Sequence, residues 1–239
     1  MDEDKLTQYL KNNESISSLL AENEKILKNE GYYPPCKNFT VEKEKRINIP
    51  AGYIRTSGEF WEKFHLVDIV ESRDIRNNIS YALQLSDYYN FWVNRFNVWG
   101  SIETMLYKQA FINIVSITEA LVLESANRMN CFCKRCQNIG TCKNNICKKD
   151  RENMKCAVEK LFEMGVLDIN EAEKKRLIDM YDLRNKIHIR LNDQNEFLDR
   201  KFNRSLYNEA VELLQKVDDC LWKNAVPLYE SCIGYKSKR

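Results

Sequence analysis

The sequence predicts an all-α fold built as a helical bundle, and three observations carry that reading. Only 7 Gly and 4 Pro occur in 239 residues, too few for the tight turns that a sheet protein of this size needs. Long stretches repeat apolar residues at offsets of three and four, the period of a helix with one buried face. Hydrophobic side chains make up 44% of the chain, enough at this length for a sizeable core. The 37 basic and 35 acidic side chains nearly cancel, which removes any whole-molecule attraction to nucleic acid or membrane and makes any basic site local. The N-terminus, Met1-Asp2-Glu3-Asp4-Lys5, is acidic and carries no apolar signal core. The most apolar run, residues 111–123, is broken by Asn113, Ser116, Thr118 and Glu119. A soluble, cytoplasmic protein without a membrane partner is therefore expected.

In chain order, Leu6, Leu10, Ile16, Leu19, Leu20, Ile26 and Leu27 mark one or two amphipathic helices, with a break expected near Asn12-Asn13 and a stop at Gly31. Residues 31–58 are punctuated by Pro34, Pro35, Pro50, Gly52 and Gly58, with a short extended piece expected over 47–54. The boundary falls there: residues 1–58 form an N-terminal helical extension and linker, and residues 59–239 the main helical domain. From 59 to 99 two helices rich in Trp, Tyr and Phe precede a break at Gly100-Ser101. Aromatics at helical spacing fill a core or a subunit contact; the alternative is stacking on unpaired bases, with Arg73, Arg76 and Arg95 on the phosphates.

Residues 101–129 read as the central core helix, through Leu106, Ala110, Phe111, Ile114, Leu121, Val122 and Met129. Glu119 is the carboxylate inside its most apolar part. It orients a catalytic histidine, pairs with an arginine across the bundle, or is simply an exposed helix residue. A short helix over 155–164 ends at Gly165. Asn170 caps a helix whose stripe is Leu177, Met180, Leu183, Ile187 and Leu191, and an amphipathic helix over 205–222 precedes Pro227. The basic tail 236–239 is expected to be disordered.

Nine cysteines in a reducing compartment imply thiols or metal thiolates rather than disulfides. Most lie in a cysteine-rich insertion over 130–156. Cys133, Cys136, Cys142 and Cys147 supply paired sulfurs at spacings that suit a tetrahedral, structural zinc site, resembling a zinc knuckle with cysteine in place of histidine. A closed four-sulfur site leaves no position for water, so the metal has no catalytic role. No acidic residue occurs from 125 to 149, while Lys134, Arg135, Lys143, Lys148 and Lys149 are basic. This is the local positive patch, suited to an RNA backbone through charge. A solvated loop that caps helix ends is the plain alternative.

The most informative stretch is Leu183-Arg184-Asn185-Lys186-Ile187-His188. It sets a permanent guanidinium and an imidazole four residues apart, on one face if the helix continues. Arginine grips phosphate oxygens, and an imidazole moves protons near neutrality. Arginine, then asparagine, then histidine at a helix end resembles the motif of the HEPN superfamily, many of whose members are ribonucleases. Residues 107–124 resemble an early core helix of that family, and residues 155–191 its later motif-bearing pair. Three residues separate arginine from histidine here, whereas four to six is the usual spacing.

The resemblance implies a metal-independent endoribonuclease acting as a toxin or antiviral defence effector. It implies Arg184, Asn185 and His188 as catalytic residues and a homodimer joining two motifs in one composite site; Glu119 joins the candidate site on its own placement in the core helix, not through the resemblance. RNA is then the substrate, and an antitoxin or defence protein a possible partner. The alternatives are a catalytically inactive HEPN-like adaptor and a zinc-stabilised RNA-binding module without catalysis.

Overall fold

The computed structural model describes residues 2–32, 41–135, 153–186 and 201–233, with backbone alone at 130–135 and 230–233. Every regular element among the described residues is helical, so the all-α bundle expected from the periodicity is what the chain forms. The chain divides into a unit of residues 1–49 and a unit of residues 50–239. The second unit thus begins at Pro50, upstream of the boundary expected after Gly58.

The first unit holds helix α1, Glu3–Asn29, which is continuous through Asn12-Asn13. At Asn12 the side chain bonds along the helix surface, Gln8 Nε2 donating to Asn12 Oδ1 at 2.9 Å, so it does not compete with its own backbone. Asp2 caps the start, and Lys28 pairs with Glu24 at 2.6 Å near the end. Gly31 stops the helix as expected. Its φ of 78° lets the Tyr32 N–H return to the Leu27 carbonyl at 2.8 Å and its own N–H to Lys28 at 3.2 Å, closing the last carbonyls. None of the α1 side chains is buried.

In the second unit the expected extended piece is replaced by a 3₁₀ turn, Ala51–Tyr53. Behind it Arg55 gives its backbone N–H and its guanidinium to Asp87, at 3.0, 2.9 and 2.5 Å. Gln84 donates to the Arg55 carbonyl at 3.0 Å. These bonds tie the entry segment to the bundle ahead of Gly58. Helix α2, Ser57–Lys63, starts with a capping box in which Thr56 and Glu59 satisfy each other's backbone N–H groups. The same bonds, backbone first, hold the Glu59 carboxyl below its ordinary range. Short α3, Leu66–Ile69, and long α4, Arg73–Arg95, complete a region read from sequence as two helices.

Helix α5, Gly100–Arg135, is the axis of the bundle. Helices α4, α6 (Met154–Glu163), α7 (Glu171–Asn185), α8 (Arg204–Cys220) and α9 (Val226–Ile233) all pack against it. That is why its apolar residues spread around the helix instead of forming one stripe. Among the described residues one helix, Gly100–Met129, is long and apolar enough to cross a membrane, and 56% of its most apolar 18-residue window is buried inside the bundle. Ile114, Leu121, Val122 and Ala126 of α5 share one buried core with Val158 and Leu161 of α6 and Leu214 and Val217 of α8.

Polar cross-links add direction to this apolar core. Asn113 donates to the Ala82 carbonyl at 2.6 Å and to Ser86 Oγ at 2.8 Å, setting α4 against α5. Ser125 and Tyr229 share a buried hydrogen bond of 2.5 Å that seats α9, and burial pushes the Tyr229 phenol up to about 12. The aromatics of α4 largely pack on one another: Trp92 lies 4.5 Å from Phe96, Phe91 lies 5.5 Å from Phe96, and Tyr53 lies 4.8 Å from Phe91. Arg76 sits over Trp61 and Arg95 over Tyr53. Trp99 stands apart, 78% exposed.

Candidate functional site

The motif lies where α7 ends beside the middle of α5. Asn170 opens α7 with a capping box to Glu173, its side chain accepting at 2.9 Å and the Glu173 carboxylate returning at 2.9 Å. Leu177 and Met180 are buried, and Ile178, Tyr181 and Leu183 pack partly against the core. Burial of that face turns Arg184 towards α5. Its guanidinium meets Glu119 Oε2 at 3.4 Å, and donates to Asn185 Oδ1 at 2.9 Å. The Arg184 and Glu119 side chains are 29% and 20% exposed, so the pair lies at the rim of the bundle. Of the readings open for Glu119, the cross-bundle ion pair with Arg184 is present, and the one that involves His188 lies outside the described residues.

The helix expected to run to Leu191 ends at Asn185, with Lys186 as its C-cap. Its N–H returns to Asp182 at 3.1 Å and to Leu183 at 3.2 Å. Arg184 therefore occupies the last turn, where a cation suits the helix dipole. His188 lies outside the described residues, as do Ile187 and Leu191. Lys155 of α6 pairs with Asp182 at 2.6 Å on the same helix and brings a second cation to the α6–α7 side of this rim.

The expected zinc site and basic patch fall mostly outside the described residues: Cys136, Cys142, Cys147, Lys143, Lys148 and Lys149 all do, and so does the basic tail. Helix α5 continues past Met129 to Arg135, so Cys133, Lys134 and Arg135 stand on helical backbone and not in a loop. Among the described residues no cluster of three metal-ligating side chains occurs. Cys220 is buried and donates to the Asp168 carbonyl at 3.6 Å, while burial raises its thiol pKa. Cys156 is half-buried on α6.

A second constellation was not legible in the sequence. His65 sits at the corner between α2 and α3 with φ 42° and ψ 31°, the one non-glycine residue at positive φ among those described. Its Nδ1 lies 3.0 Å from Asp218 Oδ2 on α8, and its ring stacks on Trp222 at 4.2 Å and 13°. The partners lie 153 residues apart, so no local pattern could have announced the pair. The chain follows Asp218 with a π turn, Leu221–Ala225, which carries Trp222. Asp218 is 3% exposed and its Oδ1 accepts no hydrogen bond. Burial pushes its carboxyl up to about 6, against the lowering pull of His65.

Comparison of the chain with family models, curated proteins and solved structures finds no match.

Proposed function

We propose that the chain is a metal-independent endoribonuclease of HEPN type, located in the cytoplasm and acting as a toxin or antiviral defence effector. The observation that supports this reading is the convergence of Arg184, Asn185 and Glu119 at one rim, since two of these residues belong to the motif and the third is the one carboxylate in the most apolar part of the core helix. The chemistry is transphosphorylation: the ribose 2′-oxygen attacks the neighbouring phosphorus, the 5′-oxygen leaves, and a cyclic phosphate remains. His188 moves the proton from the attacking hydroxyl or to the leaving oxygen, and Arg184 balances charge on the phosphoryl oxygens. Glu119 and Asn185 hold the guanidinium in place. Lys134, Arg135, Lys143, Lys148 and Lys149 hold the RNA backbone, and a structural zinc on Cys133, Cys136, Cys142 and Cys147 shapes their segment. Two copies supply the two proton-transfer groups that one His188 cannot.

A non-catalytic adaptor is the second reading, favoured by the same ion pair. A guanidinium already neutralised by Glu119 is less available to a phosphate, and the arginine-to-histidine spacing is short. Incubating the purified protein with single-stranded RNA, with and without chelator, decides between them. Cleavage that persists in chelator and leaves cyclic phosphate ends supports the ribonuclease. Neither binding nor cleavage supports the adaptor, and binding without cleavage supports an RNA-binding module.

A further inference from the structure

The corner carrying His65 combines features that stability alone does not require. A non-glycine residue held at φ 42° stores strain, and histidine is among the few side chains that tolerate this region. The π turn after Asp218 interrupts an otherwise regular helix, and such turns often mark functional positions. The Asp218 carboxylate is buried with one oxygen unpartnered, which is costly while it is charged. All three meet in one contact between the α2–α3 corner and the end of α8.

We propose that His65, Asp218 and Trp222 form a proton-sensitive latch that closes the α2–α3 corner onto the α8 end and its π turn, and that grips most tightly on the acid side of neutrality. With neutral imidazole and ionised carboxylate the pair carries a buried negative charge. Taking up a proton removes that net charge, whichever atom holds it, and leaves the Nδ1–Oδ2 hydrogen bond in place. The indole stack then keeps the ring in register with the carboxylate.

Among the described residues, charged groups near the contact include Glu62 and Lys63 of α2, Asp68 of α3, Arg128 of α5, Lys216 and Asp219 of α8 and Lys223 of the π turn, and Lys216 is paired with Glu173. Asp219 pushes proton uptake by Asp218 in the same direction as burial does. Lys223 lies 3.9 Å from Asp219, and Arg128 donates to the Asp68 carbonyl. Asp218 Oδ2 meets His65 Nδ1 and Oδ1 accepts no hydrogen bond, so the shared proton is the group's own compensation.

A folded-state carboxyl raised to about 6 from an ordinary value of about 3.9 contributes stability that is fully present below the lower value. That stability is lost as pH rises through the upper one. The full chain is titrated from about pH 8 to about pH 5, following thermal melting and the emission of Trp222, taken as wild type minus Trp222→Phe. The latch predicts a change in Trp222 emission with a midpoint near pH 6. It also predicts melting that rises towards acid in wild type relative to Asp218→Asn. His65→Asn, which tolerates the same backbone, removes the emission change. Trp222 emission that is flat with pH in the wild type overturns the proposal even if the variants fail to fold. So do superimposable melting profiles for wild type and Asp218→Asn.

Discussion

At the scale of single residues, the Glu119–Arg184 pair has more to do with placement than with stability. Both side chains reach solvent, and an ion pair so exposed contributes at most about 1 kcal/mol after screening. Glu119→Gln is therefore expected to melt close to wild type. RNA affinity at low salt should rise, because a carboxylate next to the phosphate site is gone, while the cleavage rate should fall as the guanidinium loses its hold; filter binding and single-turnover cleavage separate the two. Arg184→Ala should abolish cleavage with little change in denaturation midpoint. Wild-type cleavage by that variant would remove Arg184 from the mechanism. The stripe of Leu177 and Met180 was legible because helical periodicity is local. The contact of Glu119 with Arg184 was not, since it depends on the approach of α7 to α5.

At the scale of elements, the motif depends on two helices held by different means. The start of α7 rests on the capping box of Asn170 and Glu173, reinforced by Lys216 of α8 at 2.5 Å from Glu173. Asn170→Ala should cost about 1 kcal/mol in chemical denaturation, and a loss well below that would show that packing alone holds the helix start. On α5, Leu121 is fully buried two residues from Glu119. Leu121→Ala should cost about 2–5 kcal/mol and lower cleavage as well, through the displaced carboxylate. Helix α1 shows the limit of element reading: Asn12-Asn13 looks like a break because asparagine favours turns, yet the helix runs through it with the Asn12 side chain bonded to Gln8.

At the scale of the whole molecule, the proposed chemistry needs two proton-transfer groups, and the chain has only His65 and His188. His65 is committed to Asp218 and Trp222, which leaves His188 single in each copy. The active unit is thus expected to be a homodimer with the motifs facing across a twofold axis. Sedimentation at assay concentration should find a dimer, and His188→Ala should lose cleavage while keeping that dimer. A fully active monomer would end the composite-site mechanism. Elemental analysis of protein purified without added metal should find about one zinc per chain, as four paired sulfurs hold a single tetrahedral ion. A zinc-free protein with freely reactive thiols would leave the cysteine segment without its proposed role.

The sequence by itself determined the helical class, the central helix, the glycine stop of α1 and the cap of α7, because each follows from a period or a terminal residue within a few positions. It also singled out Arg184, Asn185 and Glu119 as chemically unusual for their surroundings. Only tertiary structure decided that Arg184 meets Glu119, that Arg55 joins Asp87, and that His65 is strained, stacked and bonded to a buried carboxylate. Those pairings depend on how helices distant in sequence cross one another, and the crossing is set by the summed burial of many apolar side chains rather than by any local pattern.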